Sequence, residues 1–108
     1  MSTPNSTWRH SVLARDGFRC AASVHDPRCK DAWILEAHHI VYKSHLIKLA
    51  YWIIENGITL SNYCHARAHL THNKNIDEAR LTKAVDAVNL VQGNLVGFHR
   101  PYFQAKAL

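Results

Sequence analysis

The chain has no apolar segment long enough to cross a membrane. Its longest apolar run, LIKLAYWII at residues 46–54, is interrupted by Lys48 and is far shorter than the roughly 20 residues that a membrane helix needs. The first twenty residues carry polar and charged side chains throughout and lack the apolar core of a secretory signal. We therefore expect no membrane partner and a protein that acts in the cytoplasm.

Cysteine is scarce as well. The three cysteines, Cys20, Cys29 and Cys64, cannot all pair with one another, and their spacing does not resemble the even framework of a small secreted disulfide protein. This excludes a scaffold held by disulfides and indicates a reducing compartment. The sequence also has no internal repeat and no low-complexity segment.

A single domain is predicted from the length and the composition. The chain has 108 residues, of which 47% are hydrophobic and 19% charged, the ordinary balance of a globular domain. A domain this short often depends on a metal, on disulfides or on a partner for its stability. Because the chain has nine histidines and few cysteines, a metal is the best candidate among these.

Acidic residues are fewer than basic ones. Thirteen lysines and arginines against eight aspartates and glutamates give a formal charge of +5 and a sequence pI near 9.4. A basic domain favours an anionic partner such as nucleic acid. A solvated basic surface is the alternative interpretation, because many basic domains bind no nucleic acid.

The residue pattern predicts an α+β fold. Polar residues 1–6 suggest a flexible tail, and residues 7–15 a short helix with Thr7 as its N-cap. Residues 33–41, WILEAHHIV, alternate as a half-buried strand does, and residues 46–53 have the spacing of a helical turn. Asn56 and Gly57 form a turn pair at the start of a brief second strand.

Two further helices are predicted after the second strand. Ser61 is placed to cap a helix over residues 62–71. A last helix is predicted over about 76–92, with Asn75 and Glu78 as a capping-box-like start. Its apolar stripe consists of Leu81, Val85, Val88 and Val91, and Gly93 suits its end. Residues 96–108 are predicted to be a C-terminal tail.

Histidines follow both the strand pattern and the helix pattern. His38 and His39 are neighbours on the first strand and so point to opposite faces, whereas His65 and His69 are four apart and share one helix face. Imidazoles at that helical spacing can bind one ion, and a ligand from a strand completes a set of three that leaves positions for water and phosphate. An imidazole is also a good proton acceptor near neutral pH.

The order of these blocks resembles the HNH endonucleases. LEAHHI is similar to the first histidine block of that family, ENGITL to the asparagine block and CHARAH to the final block, while VLARDGFRC is similar to the segment before the first strand. The resemblance implies a ββα-metal fold, or His-Me finger: a short antiparallel hairpin packed on a helix, with flanking N- and C-terminal helices. The nuclease domain would span residues 7–95, with its core at about 33–72.

The same resemblance implies roles for individual residues. His39 would be the general base that activates water, and Asn56 would fix its orientation. His38, His65 and His69 would bind one divalent cation, which could be Mg, Mn, Ni or Zn. The implied activity is hydrolysis of DNA phosphodiester bonds, leaving a 3′-hydroxyl and a 5′-phosphate. Two alternatives stay open, a non-catalytic module that binds DNA or protein on the same scaffold and a zinc domain that only supports folding.

The cysteines depart from the family pattern. Family members often hold a structural zinc with two C-x-x-C pairs, but here the matching segments read CAAS at 20–23 and SNYC at 61–64. Cys20, Cys29 and Cys64 could form three corners of a second, structural zinc site, with His25 as a conceivable fourth ligand. Alternatively the site has decayed and the thiols are simply buried. The serine replacements favour the second interpretation slightly.

Basic residues near the proposed cleft are candidates for DNA contact. Lys43, Arg67, Lys74 and Arg80 flank it in the sequence, and their contacts to phosphates would be independent of base sequence. Each could equally be a solvated charge. The resemblance is to small free-standing enzymes of phages and bacteria, which implies the cytoplasm of a bacterium or of a phage-infected host, with a second copy or a phage packaging protein as further partners to test.

Overall fold

The computed structural model describes residues 3–93 of the chain. They form two strands and three α-helices, which confirms the predicted α+β class. The elements in chain order are α1 (Pro4–Arg15), β1 (Leu35–His39), β2 (Gly57–Ser61), α2 (Asn62–Thr71) and α3 (Glu78–Gln92). The predicted tail at 96–108 and the predicted domain end at residue 95 lie outside the described residues.

β1 and β2 form an antiparallel hairpin. His38 pairs with Ile58 and His39 with Gly57, so both histidines lie at the end of the hairpin that faces the connection between the strands. β1 is shorter than the predicted 33–41. At its end the amide of Val41 donates to the Asn56 side chain at 2.7 Å and takes no part in the ladder with β2. The connection between the strands contains three 3₁₀ turns, the last of them Ile54–Asn56. The sequence predicted one helical turn in this connection, over residues 46–53.

α1 begins earlier than predicted. Its N-cap is Thr3, whose side chain accepts a hydrogen bond from the amide of Ser6 at 3.1 Å, while the Ser6 hydroxyl lies 3.0 Å from the amide of Thr3. This capping box, followed by proline at the first helical position, makes a complete helix start. The predicted start at Thr7 and the assignment of residues 4–6 to a flexible tail are therefore wrong.

A glycine allows α1 to lie directly against β2. A Cβ atom on Gly57 would be 2.5 Å from Val12 Cγ2 and 2.8 Å from Trp8 Cζ2, closer than any real Cβ contact. Both of these α1 side chains are buried. Gly57 is thus the point at which the first helix and the hairpin approach most closely.

α2 matches its prediction and α3 differs at its start. The Ser61 hydroxyl accepts a hydrogen bond from the amide of Cys64 and caps α2 as expected. α3 begins at Glu78, two residues later than predicted, because Asn75 is buried and donates its side-chain amide to the carbonyl of Cys64 at 3.0 Å. An asparagine bound to α2 in this way is not free to cap α3.

At the C-terminal end of α3, the prediction for Gly93 is confirmed and the prediction for Val91 is wrong. Gly93 ends the helix with a φ of 75°, as predicted. Val91 is 46% exposed, so it does not belong to the buried stripe that Leu81, Val85 and Val88 form. The stripe ends one turn before the helix does.

The core has two parts, which together hold the hairpin and its connection in place. The first lies between the hairpin, α2 and the start of α3, and its largest members are Ile40, Ile58, Leu60 and Leu81. The second packs the connection against the middle of α3 and comprises Val41, Leu46, Ala50, Val85 and Val88. No helix within residues 3–93 combines the length and the apolar character needed to cross a bilayer.

Candidate metal centres

Three histidines from two elements meet at one point, which we call the histidine centre. His38 comes from β1 and is 2% exposed, whereas His65 and His69 lie on successive turns of α2 and are more accessible. A ligand atom of each lies within 4.8 Å of the others. The sequence prediction of these three residues as one group therefore agrees with their placement.

The spacing of the two helix imidazoles suits a bound ion. The Nε2 atoms of His65 and His69 are 3.2 Å apart. Two nitrogens bound to one tetrahedral zinc, each at about 2.0–2.1 Å, would be about 3.3 Å apart. The two donors on α2 thus fit a divalent first-row metal without rearrangement of the helix.

Each of the less exposed histidines has a partner for its other ring nitrogen. His65 Nδ1 lies 3.3 Å from the carboxylate of Glu36, which stands two residues before His38 on the same face of β1. His38 Nε2 lies 2.8 Å from the side-chain oxygen of Asn73. Partners of this kind orient metal-binding imidazoles. Sequence reasoning missed both, although the two-residue spacing on the strand was a signal for Glu36.

Burial favours the neutral form of two imidazoles of this centre, His38 and His69. Desolvation lowers the pKa of His38 to about 3, although the hydrogen bond to Asn73 opposes this shift. Desolvation also lowers the pKa of His69, and the neighbouring His65 acts in the same direction. The neutral imidazole is the form that binds metals, so both residues are ready to bind at neutral pH.

His39 is held on the other side of the strand. Its ring stacks on Trp8, with centroids 4.2 Å apart and an interplanar angle of 18°, and its Nε2 donates to the carbonyl of Tyr51 at 2.8 Å. Because a carbonyl only accepts, Nε2 carries the proton and Nδ1 the lone pair. Desolvation lowers the pKa of His39, and the positive charge of Lys43 acts in the same direction.

Asn56 is fully buried and joins the two ends of the connection. Its side chain accepts a hydrogen bond from the amide of Val41 at 2.7 Å and donates to the carbonyl of Val41 at 3.0 Å. Val41 follows His39 by two residues, so Asn56 fixes the backbone close to that histidine. This contact is the type that the resemblance implied for the asparagine.

A second cluster of potential ligands, the cysteine centre, lies at the other end of the hairpin and of α2. It comprises Cys20, His25, Cys29 and Cys64, whose ligand atoms lie within 4.8 Å of one another. His25 Nδ1 is 3.3 Å from Cys29 Sγ and 3.8 Å from Cys64 Sγ. The four residues could bind a metal such as zinc. This placement favours the four-ligand interpretation, with His25 as the fourth donor, over that of a decayed site.

Polar groups surround the sulfurs of the cysteine centre. The Ser61 hydroxyl donates to Cys29 Sγ at 3.2 Å, and the amide of Asp26 donates to Cys64 Sγ at 3.3 Å. Burial opposes ionisation of Cys20, but hydrogen bonds from the backbone of Ser61 and of Ala22 outweigh it and lower the pKa of that thiol. Burial raises the pKa of Cys29 to about 11. Ser61 therefore contacts two of the four candidate ligands, Cys29 through its hydroxyl and Cys20 through its backbone.

The four basic residues proposed for DNA contact differ in their surroundings. Lys43 Nζ lies 4.8 Å from the ring centroids of both Tyr51 and Trp52, next to His39. Arg67 pairs with the buried Asp26 at 2.8 Å and Arg80 with the buried Asp16 at 3.2 Å, so both arginines have structural partners. The last of the four is exposed Lys74, which lines a cavity beside Asp26.

Taken together, the described residues hold a three-imidazole centre, a fixed imidazole on the next residue of the strand, and a four-donor centre. Comparisons of the chain with protein-family models, with curated proteins and with solved structures find no match.

Proposed function

We propose that the protein is a metal-dependent endonuclease that hydrolyses DNA phosphodiester bonds on a ββα-metal scaffold of the HNH type. One observation carries the proposal: adjacent residues of β1 have different tasks. His38 joins the three-imidazole centre, while His39 is held apart from it by the Tyr51 carbonyl with one ring nitrogen left as a proton acceptor. A purely structural metal site would not need an imidazole that is held apart from the metal ligands with one ring nitrogen left to accept a proton.

In this proposal His39 is the general base. Its Nε2 proton is committed to Tyr51, which leaves the lone pair on Nδ1 to accept a proton from a water molecule. The stack on Trp8 fixes the plane of the ring, and the lowered pKa keeps the ring neutral at pH 7. A positioned base of this kind contributes roughly 10²–10⁴-fold to a rate.

His38, His65 and His69 would hold one divalent cation. Three protein ligands leave coordination positions for water and a phosphate oxygen, which is the pattern of a catalytic site. When bound there, the cation would stabilise the charge on the phosphoryl oxygens and on the leaving 3′-oxygen. The imidazole donor set suits Zn, Ni and other first-row metals, and Mg or Mn could also act.

The charge of the chain supports a polyanionic substrate. The formal charge is +5, and exposed Lys43 is held over two aromatic rings beside the proposed base. Such a lysine would contact the phosphate backbone without reading bases. We therefore propose DNA cleavage with little sequence preference.

The test is cleavage of supercoiled plasmid with Mg²⁺, Mn²⁺, Ni²⁺ or Zn²⁺, each with and without a chelator. We expect nicked or linear product that depends on the cation. His39→Ala should bind metal normally and lose roughly 10²–10⁴-fold in rate, because only the base is removed. The matched control is His10→Ala, since His10 is an exposed histidine on α1.

The same assay separates the alternatives. Undiminished cleavage by His39→Ala would contradict the base assignment. A wild-type protein that binds DNA but cuts it with none of the cations would be a binding module on this scaffold. A protein that holds tightly bound zinc, neither cutting nor binding DNA, would be a structural zinc domain.

A further inference from the structure

We infer that Asn73 is a positioning residue for the histidine centre, because it fixes the tautomer of His38 and makes Nδ1 the nitrogen available to a metal. The inference rests on the metal site of the proposed function and goes beyond it by naming the ligand atom. It begins from the 2.8 Å contact between His38 Nε2 and Asn73 Oδ1.

The orientation of the Asn73 amide follows from its second contact. Its Nδ2 donates to the carbonyl of Ile40 at 2.9 Å, and a carbonyl oxygen can only accept. The nitrogen of the amide must therefore face Ile40, which leaves the oxygen facing His38. Because that oxygen is also only an acceptor, His38 Nε2 must carry a proton. Nδ1 is then the sole lone-pair nitrogen of this imidazole.

The backbone conformation at Asn73 suits this role. Asn73 follows the C-cap of α2, and both His72 and Asn73 are in the left-handed region, with φ of 52° and 67°. Asparagine adopts this conformation more readily than most residues. The backbone N–H of Asn73 donates to the carbonyl of Ala68 at 2.8 Å. This bond attaches the residues after α2 to the last turn of that helix.

Asn73 consequently joins the two elements that supply the ligands. Its backbone is fastened to α2, which carries His65 and His69, and its 1% exposed side chain makes two contacts with β1 and the residue that follows it. Outer partners of metal-bound histidines fix ring orientation, and their loss costs roughly 10–100-fold in metal affinity. We expect a loss in that range when the Asn73 side chain is removed.

Three variants test this role. Asn73→Gly removes the amide and tolerates the left-handed backbone. His72→Gly is the matched control, because His72 shares that conformation and is exposed. Asn73→Asp keeps an acceptor for His38 Nε2 and should retain most of the zinc affinity of the wild type. Zinc affinity is measured by competition with a chromophoric chelator, after the cysteine centre has been filled.

The tautomer is read directly by long-range ¹H–¹⁵N NMR of the imidazoles. In metal-free wild type we expect one form of His38, protonated at Nε2, and in zinc-loaded protein we expect the metal on Nδ1. Metal on Nε2, or protonation at Nδ1, would overturn the inference. So would a zinc affinity for Asn73→Gly equal to that of His72→Gly.

The two proposals fail in different ways. The metal-free spectrum reports on Asn73 whether or not the protein cuts DNA. If His38 is protonated at Nε2 and the wild type has no cation-dependent cleavage, the positioning role stands and the nuclease proposal falls. If cleavage occurs but the metal sits on Nε2 of His38, the opposite holds.

Discussion

The histidine centre and the cysteine centre share α2 but differ in their donors. Adjacent residues of that helix, Cys64 and His65, belong to different centres. The cysteine centre gathers four donors, the number of a closed structural zinc site, whereas the histidine centre gathers three, which leaves positions free. In the proposed function, one helix would thus hold a structural metal at its N-terminal end and a catalytic metal one turn further along.

The largest effect is expected from His65→Ala, which removes a ligand from the histidine centre alone. Because losing even an outer partner costs roughly 10–100-fold in metal affinity, losing a ligand should reduce cation-dependent cleavage by more than about 100-fold. Zinc at the cysteine centre should remain, with little change in thermal unfolding. The measurement pairs plasmid cleavage with metal analysis of the purified variant. Full metal content and full activity would remove His65 from the ligand set.

Cys29→Ala is the reciprocal change. It should remove zinc from the cysteine centre and lower the unfolding temperature, because a metal that binds only the folded state stabilises it by about 4 kcal/mol at a thousandfold excess over Kd. Thermal unfolding with and without a chelator checks this. The chelator should destabilise the wild type and His65→Ala much more than Cys29→Ala, which keeps only the open histidine centre. Equal unfolding temperatures for Cys29→Ala and the wild type would mean that the thiols hold no structural metal.

The candidate ligands of both centres were predictable from sequence to different degrees. His65 and His69 have a local signal, the four-residue spacing on a helix. The strand pattern put His38 and His39 on opposite faces, and only the resemblance to the HNH endonucleases selected His38 as the ligand. His25 could be named only as a conceivable ligand, because the loop that brings it to Cys64 has no periodic pattern. A regular element thus carries its site information in spacing, whereas a loop does not.

Two partners that orient the site, Asn73 and Tyr51, were not predictable from the sequence. Asn73 and Tyr51 contact the two histidines of β1 across 35 and 12 residues of chain, and one of these contacts is a backbone carbonyl that any residue would supply. The start of α1 was missed for a different reason. Thr3 and Ser6 are polar and resemble a tail, but they form a capping box in which Thr3 is the N-cap and Ser6 lies in the first turn of the helix.

Asp16→Asn should have a smaller effect, and one outside both centres. The buried carboxylate binds Arg15, Arg80 and the amide of Thr59 on β2. Burial alone would raise the pKa of Asp16, but the hydrogen bonds from Arg15 and Thr59 outweigh it and lower the pKa to about 2. The difference from the ordinary value of 3.8 corresponds to about 2 kcal/mol of stability at neutral pH.

The direction of the Asp16 pKa shift determines the pH range over which this carboxylate stabilises the protein. A carboxylate with a lowered folded-state pKa stabilises the protein above pH 3.8, and that contribution is lost as the pH falls toward 2. Urea unfolding should therefore show the wild type about 2 kcal/mol more stable than Asp16→Asn at pH 7, with the gap closing below pH 3.8. Exposed Asp86 supplies the control, Asp86→Asn. A gap that is constant with pH would exclude the ionised carboxylate as its source.

The smallest expected effect is a change in the salt dependence of DNA binding, which distinguishes the surfaces beside the two centres. Lys43 lies next to His39 over two aromatic rings, whereas Lys74 lines a cavity beside His25 on the side of the cysteine centre. If DNA lies along the histidine centre, Lys43→Ala should lower the salt dependence of binding by about one phosphate contact, and Lys74→Ala should leave it unchanged. Fluorescence anisotropy with a labelled duplex, measured in the His39→Ala background to prevent cleavage, gives the two slopes. A larger change for Lys74→Ala would place the DNA on the cysteine side and separate it from the proposed base.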